Sequence, residues 1–183
     1  LDLKAPDQVP TFELEFQLED KMFGKKFIPN ELKRENINKL SEAEKDKKIF
    51  ETAEYFAHVY TELEYSIIPG YGPGITKDFW QSGVVTPEMK LFFKYLRQLV
   101  GDKMMIGFHG DGTYAIPDGN NMYEFAYAIA DDPDGMKEKA EAMANLAIKR
   151  NKSLMEAGVE VLFLCSDYCY NSGPFLSPAM FAE

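Results

Sequence analysis

The feature that most constrains the fold is an ordered succession of helix, glycine, apolar strand and polar loop near the end of the chain. A helix predicted over residues 134–157 stops at Gly158, and residues 159–165 then read VEVLFLC. Polar and aromatic side chains follow at once, among them Asp167 and Tyr168. This order is typical of a parallel α/β protein, which gathers its binding and catalytic groups where the strands end.

A predicted helix followed by a strand occurs twice earlier in the chain. Ser41 and Glu44 form a capping box that opens a predicted helix over residues 41–60, and a short strand follows at 64–68. Thr86 and Pro87 open another helix that ends at Gly101, before a strand at 104–108. With a short helix at 122–130 and a further helix opening at Ser177, the chain predicts helices alternating with strands of a parallel sheet.

The first strand is predicted at residues 11–17, where TFELEFQ alternates strictly between apolar and polar side chains. Glu13 and Glu15 therefore share one face. In a surface strand these carboxylates would lie in water, whereas in a barrel strand they would line the upper lumen, where ligands bind. We favour the lumen and predict that Glu13 and Glu15 contact substrate.

Composition limits the classes of protein to which this chain can belong. The 183 residues suffice for one domain with a core, and a net charge of −10 argues against a nucleic-acid surface. Apolar runs stay well short of the roughly 18 residues of a membrane span, and a signal-peptide pattern is missing from the first residues. The chain has 2 cysteines, which indicates a reducing, cytoplasmic location rather than a disulfide scaffold.

Polar clusters at the predicted strand ends supply the candidate site. His109 and Asp111 follow the third strand and share one face if it continues, while Asp167 follows the fourth. These three are the predicted catalytic residues, since carboxylates and an imidazole can transfer protons or bind a polar ligand. The alternative role of Asp167 is to cap its loop. Three tyrosines near strand ends are the further predicted substrate contacts: Tyr71 in the glycine-rich loop PGYGPG (otherwise a plain turn), Tyr114 and Tyr168.

A metal site is the less favoured interpretation of the two cysteines. Cys165 and Cys169 would form one together with His109 and an acid. However, Cys165 ends a core strand, where cysteine is a common small apolar residue, and the Cys-x3-Cys spacing without a second pair is unspecific. We therefore predict no metal ligand from the residues alone.

Three stretches carry a resemblance to a known family. They are APDQVPTFELEF near the start, IGFHGDGTYAIPDG in the middle, and residues 130–181, in which DDP, EAG, an apolar strand, Asp167 and a Ser-Pro follow in order. Together they resemble the uroporphyrinogen decarboxylase superfamily. The resemblance implies a TIM (β/α)8 barrel, of which this chain, taken as one domain over residues 1–183, would hold about the first four β/α units.

The superfamily has two branches, and the resemblance points to one of them. One branch decarboxylates uroporphyrinogen and carries an arginine-rich segment near its start, which this chain lacks. The other transfers methyl groups to or from corrinoid proteins or thiols, often with zinc. A rim of Glu13, Glu15, Asp111 and Asp167 would repel a polycarboxylate, which favours the methyltransferase-like branch.

The expected function is therefore part of a corrinoid-dependent methyltransferase that acts on a small methylated substrate. The alternatives are a decarboxylase, and a non-catalytic half barrel that dimerises or binds a partner. In the family's zinc enzymes the His-x-Cys ligands fall in the second half, after Glu183, so the resemblance assigns this chain no zinc. We expect a fragment or short product that forms a homo-oligomer or is completed by a second half barrel, because open strand edges seek partners.

Overall fold

A three-stranded parallel sheet forms the centre of the computed structural model. The structure describes residues 9–70, 72–75, 77–112, 117, 119–165 and 169–182, with the backbone alone at 78, 170 and 182. The strands are β1 (Ile67–Ile68), β2 (Met105–His109) and β3 (Val161–Phe163), in the order β1-β2-β3. A short antiparallel hairpin of β4 (Cys169–Tyr170) and β5 (Gly173–Pro174) follows the sheet along the chain.

Helices make up most of the described residues. They are α1 (Glu19–Met22), α2 (Glu42–Glu62), α3 (Lys77–Ser82), α4 (Pro87–Val100), α5 (Met122–Asp131), α6 (Pro133–Glu156) and α7 (Pro178–Ala182), with 3-10 turns at Asn30–Leu32 and Ile37–Lys39. None of these described helices combines the length and the apolar character needed to cross a membrane.

Local capping explains where the long helices begin and end, and it confirms the predicted α2, α4 and α6. At α2 the Ser41 hydroxyl accepts from the Glu44 amide at 3.3 Å, while the Glu44 carboxylate accepts from the Ser41 amide at 2.9 Å. Thr86 caps α4 in the same way, at 3.2 Å from the Met89 amide. Gly101 ends α4 with a φ of 55°, a conformation that favours glycine.

The core lies between the sheet and the helices α2 and α4. Phe56 of α2 and Phe92 of α4 are buried and meet edge to face, with ring centroids 5.1 Å apart. Phe93 packs in the same way on Phe108 of β2, at 6.2 Å. Gly70 lies so close to β2 that a Cβ there would overlap the Gly107 carbonyl oxygen, so only glycine fits at the end of β1.

The predicted half barrel of four β/α units is wrong for the described residues. Their parallel sheet has three strands, and the segment TFELEFQ is not one of them. The backbone of that segment meets the lead-in of β1 at Thr11: the Ser66 amide donates to the Thr11 carbonyl at 2.7 Å, and the Thr11 hydroxyl donates to the Glu64 carbonyl at 3.0 Å. Alternation determines which side chains share a face. A strand also needs hydrogen bonds to a neighbouring strand, and β1 has only two residues with which to form them.

Candidate functional site

Three side chains with different donor atoms meet at the carboxyl ends of β2 and β3. His109 is the last residue of β2, Asp111 follows two residues later, and Cys165 lies two residues beyond β3. One potential ligand atom from each of the three lies within 4.8 Å of the others. We call His109, Asp111 and Cys165 the carboxyl-edge cluster.

The pairing of the two strands explains why these residues meet. β2 and β3 run parallel with His109 opposite Phe163, so both strands leave the sheet at the same edge. The Gly110 amide continues the ladder by donating to the Phe163 carbonyl at 2.8 Å. The Cys165 amide then donates to Asp111 Oδ1, which ties the two loops together, and His109 Nδ1 lies 3.9 Å from Asp111 Oδ2.

Helix α6 supports the cluster from behind with two consecutive polar side chains. Asn151 Nδ2 donates to the Gly110 carbonyl at 2.9 Å, and the Arg150 guanidinium donates to the Asp111 carbonyl. Arg150 is only 5% exposed and lies 4.8 Å from the centroid of the Trp80 ring. Burial lowers the pKa of Arg150, and the negative charge of Asp111 opposes that shift.

Two carboxylates act on the thiol of the carboxyl-edge cluster. Partial desolvation of the sulfur, and then the negative charges of Asp111 and Glu15, raise the pKa of the Cys165 thiol, although the residue is exposed. The thiol is therefore protonated at neutral pH. A positive charge placed among these groups would oppose the two Coulombic causes and favour the thiolate.

The two predicted glutamates of the first segment lie in different surroundings. Glu15 lies close enough to Cys165 to influence its pKa, and it accepts a hydrogen bond from Gln17 at 2.8 Å. Glu13 instead faces Tyr65, whose pKa is raised by burial and then by the Glu13 carboxylate. The segment thus brings Glu15 towards the cluster, whereas the contact shown for Glu13 is with Tyr65.

Of the predicted catalytic residues, the structure brings His109 and Asp111 together. Asp167, Tyr71, Tyr114 and Tyr168 lie outside the described residues. Cys165 belongs to the cluster, and Cys169 is an exposed residue of the β4–β5 hairpin.

Sequence reasoning missed the two supporting residues on α6. The available signal was that Arg150 falls on the buried stripe of this helix, in line with Ala147 and Leu154. A charged residue at such a position needs polar partners, and here they are loop carbonyls at the site.

The arrangement can perform two kinds of chemistry. An imidazole next to a carboxylate can transfer protons, and nitrogen, oxygen and sulfur donors at short range can bind a transition metal. The side chains of His109 and Asp111 are 19% and 29% exposed, so a small molecule from solvent can reach them.

Comparisons with known proteins found no relative. No family model matches the chain, and neither the curated proteins nor the solved structures contain a match.

Proposed function

We propose that this chain is part of a methyltransferase that works with a corrinoid protein and takes its methyl group from a small methylated amine, ether or thiol. The observation that carries the proposal is the approach of His109 Nδ1 to Asp111 Oδ2, at 3.9 Å, where β2 and β3 end. The resemblance of the sequence motifs to the methyltransferase-like branch of the uroporphyrinogen decarboxylase superfamily supplies the reaction class. The proposal does not depend on a barrel.

The proposed chemistry needs a proton at the departing heteroatom. When the methyl group moves to the corrinoid carrier, the donor nitrogen, oxygen or sulfur keeps the bonding electron pair and takes up a proton. His109 would supply that proton, and Asp111 would hold the imidazole in position and stabilise its charged form.

Charge favours a small neutral or cationic donor over a polycarboxylate. Asp111 and Glu15 both act on the Cys165 thiol, so this edge of the sheet is acidic. A neighbouring cationic group, Arg150, is buried, stacks on Trp80 and donates to the Asp111 carbonyl. Arginines that serve a polycarboxylate must present their guanidinium groups to it. We also propose a cytoplasmic location, where the free thiols Cys165 and Cys169 stay reduced.

The test is transfer of a methyl group to a purified corrinoid protein from a panel of methylated amines, methoxylated compounds and methyl thiols. Both the 183-residue chain and the product of its whole reading frame are assayed. We expect His109→Gln to lower the transfer rate on the order of 10²–10⁴-fold, the usual contribution of a general acid. His58→Gln is the matched control, because His58 is the other of the chain's 2 histidines and its ring packs on Phe23.

Two outcomes would contradict the proposal. One is the absence of transfer by the whole reading-frame product with every donor. The other is transfer that His109→Gln leaves as fast as His58→Gln does.

A further inference from the structure

We propose that the carboxyl-edge cluster of His109, Asp111 and Cys165 is a binding site for a divalent transition metal of the zinc type. An imidazole nitrogen, a carboxylate oxygen and a thiolate sulfur form a donor set that zinc prefers and that magnesium and calcium do not. The inference concerns metal binding alone. A bound ion would take the imidazole nitrogen and the carboxylate that the proposed proton transfer uses, so the two assignments exclude each other at His109 and Asp111. Metal titration, which needs no methyl transfer, tests the metal site by itself.

The distances suit a tetrahedral ion after a small adjustment. With bonds of about 2.0–2.3 Å, neighbouring ligand atoms of tetrahedral zinc lie roughly 3.3–3.7 Å apart. The three ligand atoms here lie within 4.8 Å of one another, and the His109 Nδ1 to Asp111 Oδ2 distance is 3.9 Å. Side-chain rotations that move the ligand atoms by about 1 Å would bring them into coordinating range.

The hydrogen bonds of Asp111 leave one oxygen directed towards the metal position. Its Oδ1 accepts from the Cys165 amide, whereas its Oδ2 faces His109. The same hydrogen bond fixes the loop after β3 against the loop after β2, and it therefore brings Cys165 close before any ion binds. Such a preorganised pair of loops lowers the cost of ordering the ligands.

Two residues of α6 hold the backbone that carries the ligands. Asn151 donates to the Gly110 carbonyl, and Arg150 donates to the Asp111 carbonyl. The hydrogen bond to a ligand group itself is that of the Cys165 amide to Asp111 Oδ1, and contacts of that kind orient ligands and strengthen metal binding. The ligating residues thus lie on or next to two paired strands with a helix behind them.

Three protein ligands leave a fourth coordination position for water or a substrate. His109 and Asp111 keep 19% and 29% of their side-chain surface exposed, and Cys165 is exposed as well. Solvent therefore reaches the metal position. This is the pattern of a catalytic zinc site, since structural sites are closed by a fourth protein ligand.

Binding of the metal ion releases one proton and leaves the site without excess charge. The ion forms a bond to the Cys165 sulfur, and the thiol proton leaves to solvent. The two positive charges of the ion are then matched by one thiolate and one carboxylate. We therefore expect binding to weaken as the pH falls, because protons compete with the ion for the Cys165 sulfur.

Cobalt(II) is the probe, because it substitutes for zinc and shows a thiolate-to-metal absorption band. The full chain, kept reduced, is titrated with cobalt(II) and then with zinc(II), and magnesium(II) is added separately. We expect one cobalt per chain, a thiolate band, displacement by zinc and no displacement by magnesium.

Matched variants identify the ligands. Cys165→Ser should abolish the thiolate band, and His109→Gln and Asp111→Asn should each weaken binding on the order of 100-fold, since even outer-shell changes cost 10–100-fold. Cys169→Ser and His58→Gln are the controls, because each removes the chain's other residue of that type. Both should bind as the unchanged chain does.

A second readout uses only the unchanged chain and so does not depend on variants that fold. Zinc should slow alkylation of Cys165 at least tenfold and leave Cys169 unchanged, as mapped by mass spectrometry. The inference is overturned if cobalt does not bind, if Cys165→Ser keeps the band, or if zinc protects both cysteines equally.

Discussion

The two edges of the parallel sheet use their charged residues differently. At the amino edge, Glu160 pairs with Arg97 and also accepts a hydrogen bond from the Ile106 amide at 3.1 Å. Arg97 in turn donates to the carbonyls of Gly101 and Met104. At the carboxyl edge, the carboxylate of Asp111 instead lies between an amide, an imidazole and a thiol.

The difference fits a structural role at the amino edge and the proposed metal site at the carboxyl edge. The contacts of Arg97 and Glu160 with each other and with the strand ends join α4, β2 and β3. The carboxyl-edge cluster brings together nitrogen, oxygen and sulfur atoms that could bind one metal ion jointly. Parallel α/β proteins place their ligand sites outside the carboxyl ends of the strands, and the carboxyl-edge cluster lies at that end of this sheet.

The largest loss of stability should come from a change in β2, the central strand, which reaches both edges of the sheet. Phe108 of β2 is 1% exposed and packs on Phe79 and Phe93. Phe108→Ala should lower the free energy of unfolding by about 3–5 kcal/mol, because it leaves a cavity at the centre of the sheet. Urea unfolding followed by circular dichroism measures the loss.

Leu164→Ala is the control for that experiment, because Leu164 follows β3 and is 73% exposed. It should stay within about 0.5 kcal/mol of the unchanged chain. If Phe108→Ala unfolds at the same urea concentration as Leu164→Ala, the sheet is not packed as described.

Substitutions at the amino edge should lower the free energy of unfolding by less than Phe108→Ala does. Glu160→Ala removes the acceptor of the Ile106 amide and should cost about 1–3 kcal/mol of unfolding free energy. Glu160→Gln keeps an acceptor and loses only the ion pair with Arg97. Because that pair is partly exposed, its loss should cost about 0.2–1 kcal/mol.

Thermal and urea unfolding test whether Glu160→Ala loses more stability than Glu160→Gln. Equal stabilities would show that the hydrogen bond to β2 contributes nothing beyond the ion pair, and the structural role given to this edge would then fail. Cobalt affinity measured on the same variants should match that of the unchanged chain.

The sequence predicted the helices better than the sheet because helix signals are local. The capping box at Ser41, Pro87 after Thr86 and the stop at Gly158 each specify a helix end within a few residues. The six-residue α3 was missed, since it is too short to show a helical period, although its Phe79 is fully buried.

The first strand and the cluster depend on pairing that the sequence does not encode locally. The alternation of TFELEFQ predicted a strand, but the segment joins the lead-in of β1 through the backbone of Thr11 and forms no strand. His109 and Asp111 were predicted as a pair from their spacing. Cys165 was grouped with His109 and an acid only in the less favoured metal interpretation, because its approach to Asp111 follows from the register that sets His109 opposite Phe163.

The most direct test of the central claim, that the carboxyl edge binds a metal while the amino edge stabilises the fold, is urea unfolding with and without zinc. It compares the unchanged chain, Glu160→Gln and Asp111→Asn, with zinc at 100 times its dissociation constant for the unchanged chain. Zinc should raise the unfolding free energy of the unchanged chain and of Glu160→Gln by about 2.7 kcal/mol. Asp111→Asn, with affinity lowered about 100-fold, should gain only about 0.4 kcal/mol. An equal gain in all three proteins, or no gain in the unchanged chain, would contradict the account.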